Sequence, residues 1–366
     1  MSDTVRWTVC IPAFNRPRET AELLESVAAQ DRPSLEVLLC EDASPRREEI
    51  RRAVDAFRPR FGGRLRYEEN EGTLGYDGNL RRLVERARGD YCLFMGNDDL
   101  LAPGALDALD GALRRHPATG VVLRAYDFFR DRPDNVIQRF RYFDGERVFP
   151  PGPDTVVTFY RRSVTLSGMV VRRADALRHA TDAFDGTLLY QLHLAARILL
   201  ERPGLYLPQP MALYRVGGVP DFGHSAAERG RHVPEAQTPD SSVHFVRGLL
   251  EIARRVEAEC GAPVFKAIRR DVGNYAYPLL RVQAGRPAGV FARYAARLAG
   301  LGLWRYPLFY AYAGGLLLAG PDRLDRLIVA LKGHFGTTPR LGRVYAGNAV
   351  AGAPSPCGGA PGRNGR

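Results

Sequence analysis

Two adjacent carboxylates, Asp98 and Asp99, close the apolar run Tyr91-Cys92-Leu93-Phe94-Met95 after a Gly96-Asn97 step. At the mouth of a buried strand, two such acids repel one another and lose hydration unless a cation or hydrogen-bond donors lie between them. The position reads as a site for a metal ion or a phosphate, in an enzyme that handles a nucleotide diphosphate. A purely local account competes, in which Asn97, Asp98 and Asp99 turn the chain and cap a helix opening near Pro103. Three more polar clusters follow apolar runs earlier in the chain. In Pro12-Ala13-Phe14-Asn15, the proline fixes the backbone as a run ends and Asn15 can meet a base or ribose; an ordinary strand-to-helix turn is the alternative. Glu41 and Asp42 carry ionised oxygens suited to pyrimidine N–H groups or ribose hydroxyls, while Asp42 or Ser44 could equally cap a helix starting near Arg46. Asn70, Gly72 and Gly75 make a loop whose amides can approach phosphate, or a generic loop. Asn79 falls within the next helix, where a solvent-facing polar residue is the default.

The elements that must carry these clusters alternate. Short β-rich runs, Val5 to Ile11, Leu35 to Cys40, Leu65 to Glu68, Tyr91 to Met95 and Gly120 to Ala125, are separated by amphipathic helix-length segments. This rhythm calls for an α/β fold with a mostly parallel, Rossmann-like sheet flanked by helices, whose ligands gather at the carboxyl ends of strands. From Arg130 to about Thr158 the pattern turns irregular and aromatic, as for an excursion or a pair of strands. A helix is expected over Leu188 to Glu201, and a long loop or lid over 217–240. Helix then follows helix from Ser241. The division expected is 1–240 for the α/β domain (1–125 and 126–240 its halves), 241–345 for a helical C-terminal region, and 346–366 for a disordered tail rich in Gly, Pro and Ala. Leu301 to Gly320 admits three readings, an interfacial helix, a packed core helix or a membrane span.

The formal charge of +11 is almost wholly arginine, since lysine occurs only at Lys266 and Lys332. Such a charge is compatible with nucleotide diphosphates, an anionic membrane surface or nucleic acid, and selects none of them. None of the five cysteines has metal-ligand spacing, so they read as inert thiols of a reducing compartment. The N-terminus lacks the basic start and long apolar core of a secretory signal, and the expected location is the cytoplasm, with peripheral attachment to the inner face of the cell membrane as an option.

Taken in order, Cys10-Ile11-Pro12-Ala13-Phe14-Asn15-Arg16, Cys40-Glu41-Asp42-Ala43-Ser44, Asn70-Glu71-Gly72-Thr73-Leu74-Gly75 with Asn79, and Gly96-Asn97-Asp98-Asp99 resemble the nucleotide-sugar half of a family-2 glycosyltransferase of the GT-A fold. The resemblance runs over roughly residues 5–225. It implies that Pro12, Ala13, Asn15, Glu41, Asp42, Asn70, Gly75, Asn79, Asn97 and Asp98 bind the nucleotide sugar, Asp98 touching ribose or metal, and that Asp99 holds Mg²⁺ or Mn²⁺ against the diphosphate. It implies an inverting transfer to a hydroxyl, with Asp185 as the base and Asp182 as its rival; capping of the next helix is the alternative role for Asp185. Tyr214-Arg215, Gly217-Gly218 and His224-Ser225 resemble the mobile segment that closes over the donor, with Arg215 on the diphosphate and His224 as a metal ligand or phosphate donor. The sequence GNDDLL and the later YQLHL resemble the abequosyltransferase branch of the family.

Expected partners are a nucleoside-diphosphate sugar, a hydroxyl-bearing glycan, lipid-linked sugar or metabolite, and an anionic membrane surface. A nucleotidyltransferase would place a Gly-rich basic loop after the first strand, where this chain has IPAFNRP. A basic membrane- or nucleic-acid-binding module would cluster its cations, whereas these arginines are spread along the chain, and no nucleic acid is expected.

Overall fold

The computed structural model describes residues 7–30, 32–335 and 343–346. Four short strands, β1 (Trp7–Ala13), β2 (Leu35–Glu41), β3 (Leu65–Glu69) and β4 (Tyr91–Phe94), are parallel and lie in the order β3-β2-β1-β4. β1, β2 and β4 are mostly apolar and buried, as strands covered on both faces must be, while β3 at the end of the order is half-buried and carries Arg66, Glu68 and Glu69. The helices between them, α1 (Pro17–Ala28), α2 (Arg47–Phe61) and α3 (Gly75–Arg86), bury one stripe each, Leu23, Leu24 and Val27 in α1 and Leu80, Leu83 and Val84 in α3. The chain steps outward from β1 through β2 to β3, then returns to the other side of β1 for β4. That reversal opens a crevice beyond the carboxyl ends of β1 and β4, where ligands collect in such sheets.

A two-residue strand, β5 (Leu100–Leu101), and α4 (Ala105–Arg115) lead into the second half. There β6 (Val121–Arg130) and β7 (Arg132–Arg141) form an antiparallel hairpin; β6 runs five residues beyond its expected end, and β7 lies in the irregular aromatic stretch. After β8 (Arg147–Phe149) and α5 (Pro153–Tyr160), β9 (Met169–Arg172) inserts antiparallel between β4 and β6, joining the two halves into one sheet. Following α6 (Arg173–Arg178) and α7 (Tyr190–Glu201), β10 (Gly204–Arg215) pairs parallel with β6. Residues 216–238 carry no helix or ladder strand and fold back over the ends of β1 and β4.

The helical region comprises α8 (Pro239–Cys260), α9 (Phe265–Asn274), α10 (Tyr277–Arg281), α11 (Ala288–Gly300), α12 (Pro307–Ala319) and α13 (Pro321–Phe335); β11 (Arg343–Ala346) then pairs with β7. A capping box between Thr238 and Ser241 starts α8. The division expected at 240/241 falls at the start of α8, but the core runs on across it: the buried Tyr160 hydroxyl donates to Leu249 O at 2.7 Å, and one apolar cluster joins both sides. Among the described residues no helix is long and apolar enough to cross a membrane, which removes the spanning reading of Leu301 to Gly320. That stretch breaks at Tyr306-Pro307, so only α12 is continuous, and it is partly buried through Phe309, Ala313 and Leu316. Cys10, Cys40 and Cys92 are buried thiols, and burial pushes Cys40 up to about 12, in keeping with inert roles. The expected tail over 346–366 lies, apart from Ala346, outside the described residues.

Asp77 ties the two halves together. It lies on α3, is 1% exposed, and accepts from Leu188 N at 2.9 Å and Tyr190 N at 2.8 Å at the start of α7. Burial raises its pKa to about 7 despite those two amide bonds. The folded protein therefore holds this proton over a range where the unfolded chain has released it. Stability relative to Asp77→Asn is expected to fall between about pH 4 and about pH 7, by on the order of 4 kcal/mol, and to level off above; urea titrations at stepped pH values check this.

Candidate nucleotide-sugar site

A cavity of about 320 Å³ occupies the crevice at the ends of β1, β2 and β4, roofed by the 216–238 segment. Of the residues singled out in the sequence, Pro12 and Ala13 line it from β1, Asp42 from β2, and Asn97, Asp98 and Asp99 from β4. Gly75 and Asn79 reach it from α3 and His224 from the roof. Five others do not line it: Asn15, Glu41, Asn70, Asp185 and Arg215.

The two aspartates have different surroundings. Asp99 is 7% exposed; its Oδ2 accepts from Ser167 Oγ at 2.6 Å and its Oδ1 from Arg215 N at 3.0 Å. Burial still lifts it to about 6, the two donors pulling the other way. Asp98 is partly exposed and ion-paired with Arg16, whose guanidinium also donates to Val219 O at 2.7 Å, anchoring the roof. Behind Ser167 lies the fully buried Arg124, which donates to Ser167 O at 3.0 Å, Thr165 O at 2.7 Å and Tyr214 Oη at 2.8 Å. The acids thus rest on a scaffold of donors from β6, β10 and the segment before β9. The capping role allowed for Asn97–Asp99 is not realised, since α4 starts after Gly104 with no side-chain cap.

Other expectations change once the chain is folded. Glu41 accepts from Ala43 N at 3.0 Å, Ser44 N at 2.8 Å and Arg47 Nε at 2.6 Å, so it is spent on the β2–α2 turn and faces no ligand. Asp42 does not cap α2. It accepts from Asn70 Nδ2 at 2.7 Å and from the Leu74 and Gly75 amides at 2.8 Å each, which fastens the start of α3. The Gly75 amide is therefore committed to Asp42 and is not free for phosphate. Its φ of +81° and the roof above it demand glycine, because a Cβ there would lie 2.7 Å from Glu228 Oε1. Asn70 is buried beneath Asp42, and Asn79, far from facing solvent, donates to Cys40 O at 3.0 Å. Asn15 and Arg215 line an adjoining groove that shares Arg16 and Asp98 with the cavity. Asn15 donates to Asp221 at 2.8 Å; Arg215 is held by Asp98 O, Glu22 and the Phe129 ring.

Asp185 forms a two-pronged pair with Arg81, at 2.7 and 2.9 Å, and Asp182 is exposed; neither carboxylate reaches the cavity. The acids that do, besides the aspartates already described, are Asp221 and Glu228 on the roof. Asp221 accepts from Asn15 and sits 2.6 Å from His224 Nε2; although burial opposes it, these bonds hold its carboxyl below the usual range. Glu228 is 2% exposed and accepts from Tyr76 N at 2.7 Å and Gly223 N at 3.0 Å. Sequence reasoning missed Asp221, Glu228 and Tyr76, whose chain neighbours give no pattern. Arg124 had a signal, a charged residue inside the apolar run VVLRAYDFF.

The residues were also tested as a cation site. Among the described residues no group of three or more His, Cys, Asp or Glu side chains converges at ligand separation. Asp98 is bound to Arg16, Asp99 to Ser167 and the Arg215 amide, and His224 to Asp221. Two hard carboxylates do share one wall, which suits a cation whose remaining oxygens come from a diphosphate.

The sequence profile for glycosyl transferase family 2 matches residues 8–179, the stretch that builds β1 to β4 and β9 and presents the twin aspartates. Residues 8–179 belong to glycosyl transferase family 2. The abequosyltransferase RfbV of Salmonella typhimurium is 33% identical over 100 residues, 27% of this chain and 30% of that protein. The putative glycosyltransferase EpsE of Bacillus subtilis is 24% identical over 181 residues, 49% of this chain and 60% of that one. The GalNAc(5)-diNAcBac-PP-undecaprenol beta-1,3-glucosyltransferase of Campylobacter jejuni is 28% identical over 103 residues, 28% and 32% of the two chains. The chain thus spans less than two thirds of the length of each of these relatives. The structure of S. aureus TarS 1-349 in complex with UDP-GlcNAc superposes with a TM-score of 0.54 at 15% identity, over 89% of this chain and 92% of that one. The family-2 segment therefore lies within a GT-A fold, as expected from the sequence.

Ser167→Ala removes a donor from Asp99, which favours its neutral form. The Asp99 carboxyl is expected to titrate above about 6 in the variant, and the loss of stability, ~1–2 kcal/mol, to be larger at pH 8 than at pH 5. Carboxyl-detected NMR and thermal melts at the two pH values check both.

Proposed function

We propose that this chain transfers a sugar, with inversion, from a nucleoside-diphosphate sugar to a hydroxyl of a glycan, a lipid-linked sugar or a small molecule. The observation that carries the reading is the cavity at the reversal of the sheet, where the family-2 segment brings Asp98 and Asp99 beside Arg16. In this reading the base and ribose lie toward Asp42 and Asn79, and the diphosphate lies at Asp98, Asp99 and Arg16. Asp98 and Asp99 would hold Mg²⁺ or Mn²⁺, which when bound supplies charge to neutralise the leaving diphosphate. His224, tied to Asp221, orients that roof carboxylate and comes within reach of the diphosphate when the roof shifts. The buried Arg124 holds Ser167 and Tyr214 in place beneath the aspartates. The relatives support the class of reaction: one is an abequosyltransferase, another a glucosyltransferase, and TarS was solved with UDP-GlcNAc.

The acceptor oxygen attacks the sugar carbon as the bond to the diphosphate breaks, and its proton passes to a base. Glu228 takes this role in place of Asp185. Its carboxylate lines the cavity, each oxygen keeps a lone pair beyond the amide it accepts from, and among the described residues no guanidinium pairs with it. Asp185 is engaged with Arg81 away from the reacting groups. Glu228→Gln is expected to lower kcat by roughly a hundredfold or more with donor affinity little changed, and Asp185→Asn to lower Tm while kcat stays within about tenfold. A nucleotide-release assay over a donor panel, with and without divalent cation, checks both. If no nucleoside diphosphate raises Tm, the transferase reading fails, because a ligand of the folded state must raise it.

The same reading places the chain at an anionic membrane surface on its cytoplasmic side. On α12 and the turn before it, Trp304 and Tyr310 are each 54% exposed and Leu318 90%, and Arg305, Arg323 and Arg326 beside them are exposed as well. Exposed apolar and aromatic side chains on a segment that also exposes arginines suit the headgroup layer. Sedimentation with phosphatidylglycerol vesicles is expected to retain the wild type and to lose the Tyr310→Glu/Leu318→Glu variant, with circular dichroism unchanged.

A further inference from the structure

A second cavity, of about 250 Å³, lies on the far side of the roof, between the 216–238 segment and helices α8, α10 and α11. Among the described residues no Asp, Glu, Lys or Arg lines it. Its walls are Leu188, Phe245, Val246, Leu279, Val282 and Tyr294. Three polar groups at its edge have partners within the protein: His232 Nε2 lies 3.1 Å from Gly186 O, Ser242 Oγ accepts from Gln283 Nε2 at 2.9 Å, and Ser241 closes the capping box of α8; Gln237 adds an uncharged, exposed amide. Nothing in it asks for a charge or an ion. It asks for an uncharged apolar group.

Two residues, Pro220 and Phe222, line both this cavity and the nucleotide-sugar cavity. The Phe222 ring meets Tyr76 edge-on at 5.8 Å and His232 at 6.4 Å, one neighbour belonging to each side. The next amide in the chain, Gly223 N, and the amide of Tyr76 are the two groups that hold Glu228. The wall between the cavities is therefore also the support of the carboxylate assigned as the base. A hydroxyl placed at Glu228 shares its cavity with Phe222, and on the other side of Phe222 lies the uncharged cavity. At the rim of that cavity Val233 and Val282 are 48% and 41% exposed, so apolar surface faces solvent where a chain would enter.

We propose that the second cavity seats the apolar chain of an amphiphilic acceptor whose hydroxyl reaches the first cavity past Phe222. The assignment rests on the glycosyltransferase reading for the word acceptor, and on the cavity alone for the affinity for an apolar chain. Buried apolar area supplies the affinity, and the mostly apolar lining offers a purely polar glycan few hydrogen-bond partners. The roof segment then serves two ligands at once, because Phe222 contacts the chain on one face while Gly223 positions Glu228 on the other.

The probe is n-decyl β-D-maltopyranoside below its micelle concentration, with maltose as its chainless counterpart, titrated calorimetrically into the full chain. Saturable one-to-one binding of the decyl glycoside without binding of maltose is expected. Val282→Trp and Val233→Trp, both at the exposed rim and outside the catalytic set, are expected to weaken it by about tenfold or more by filling the entrance. Absence of saturable binding by the wild type, or undiminished binding by both variants, overturns the proposal. Binding of nucleoside diphosphates is measured in the same samples. It is expected to be unchanged in both variants, and its absence from a wild type that still binds the decyl glycoside would sink the transferase reading and the acceptor role, leaving only an apolar-chain site.

Discussion

The charge on Asp99 is the constraint around which this molecule is arranged. A carboxylate almost out of reach of water is tolerated only where donors replace its hydration, and here they come from parts of the chain far apart in sequence. Ser167 arrives just before β9, the Arg215 amide at the end of β10, and Arg124 from the middle of β6 fixes Ser167 and Tyr214 from behind. The antiparallel insertion of β9 between β4 and β6 is what brings Ser167 within 2.6 Å of Asp99. The second half of the sheet thus completes an electrostatic site that the first half opens.

The same economy appears around α3. Asp42 and Asp77 are both buried acids that accept backbone amides, one at the helix's own start and the other at the start of α7. Arg81, one turn after Asp77, holds Asp185. A single helix therefore sets the floor of the nucleotide-sugar cavity and the position of the loop before α7, and Glu228 bonds to the Tyr76 amide on that helix as well. The roof is fastened to the groups it covers at Val219, by Arg16, and at Glu228, by the Tyr76 amide. A roof tethered by a few polar bonds rather than by a ladder can shift without breaking the sheet.

Much of this was legible before folding, and the rest was hidden for particular reasons. The βα rhythm and the polar steps after each strand located the crevice, because strand ends are where a parallel sheet leaves side chains without neighbours. In sequence Glu41 and Asp42 read as acids that bind the nucleotide sugar and Asp185 as the base, and the structure gives each a backbone or arginine partner. A carboxylate next to a turn looks the same in sequence whether it binds a ligand or spares the chain an unsatisfied amide. Asp221 and Glu228 escaped notice for the converse reason. Their segment has no periodicity, and what makes them important is the surface they cover.

Local sequence alone determined the strands, the helix stripes, the two aspartates after β4 and the family to which residues 8–179 belong. These follow from periodicity and from residue types at strand ends, which act over a few residues at a time. Tertiary structure alone decided which acids face the cavity, which are spent on amides and guanidiniums, and that an uncharged cavity lies behind Phe222. The acids at the cavity depend on partners far apart in sequence, such as Asp42 with Gly75, Asp99 with Arg215 or Tyr76 with Glu228, and only the closing of the sheet and roof brings such pairs within hydrogen-bond reach.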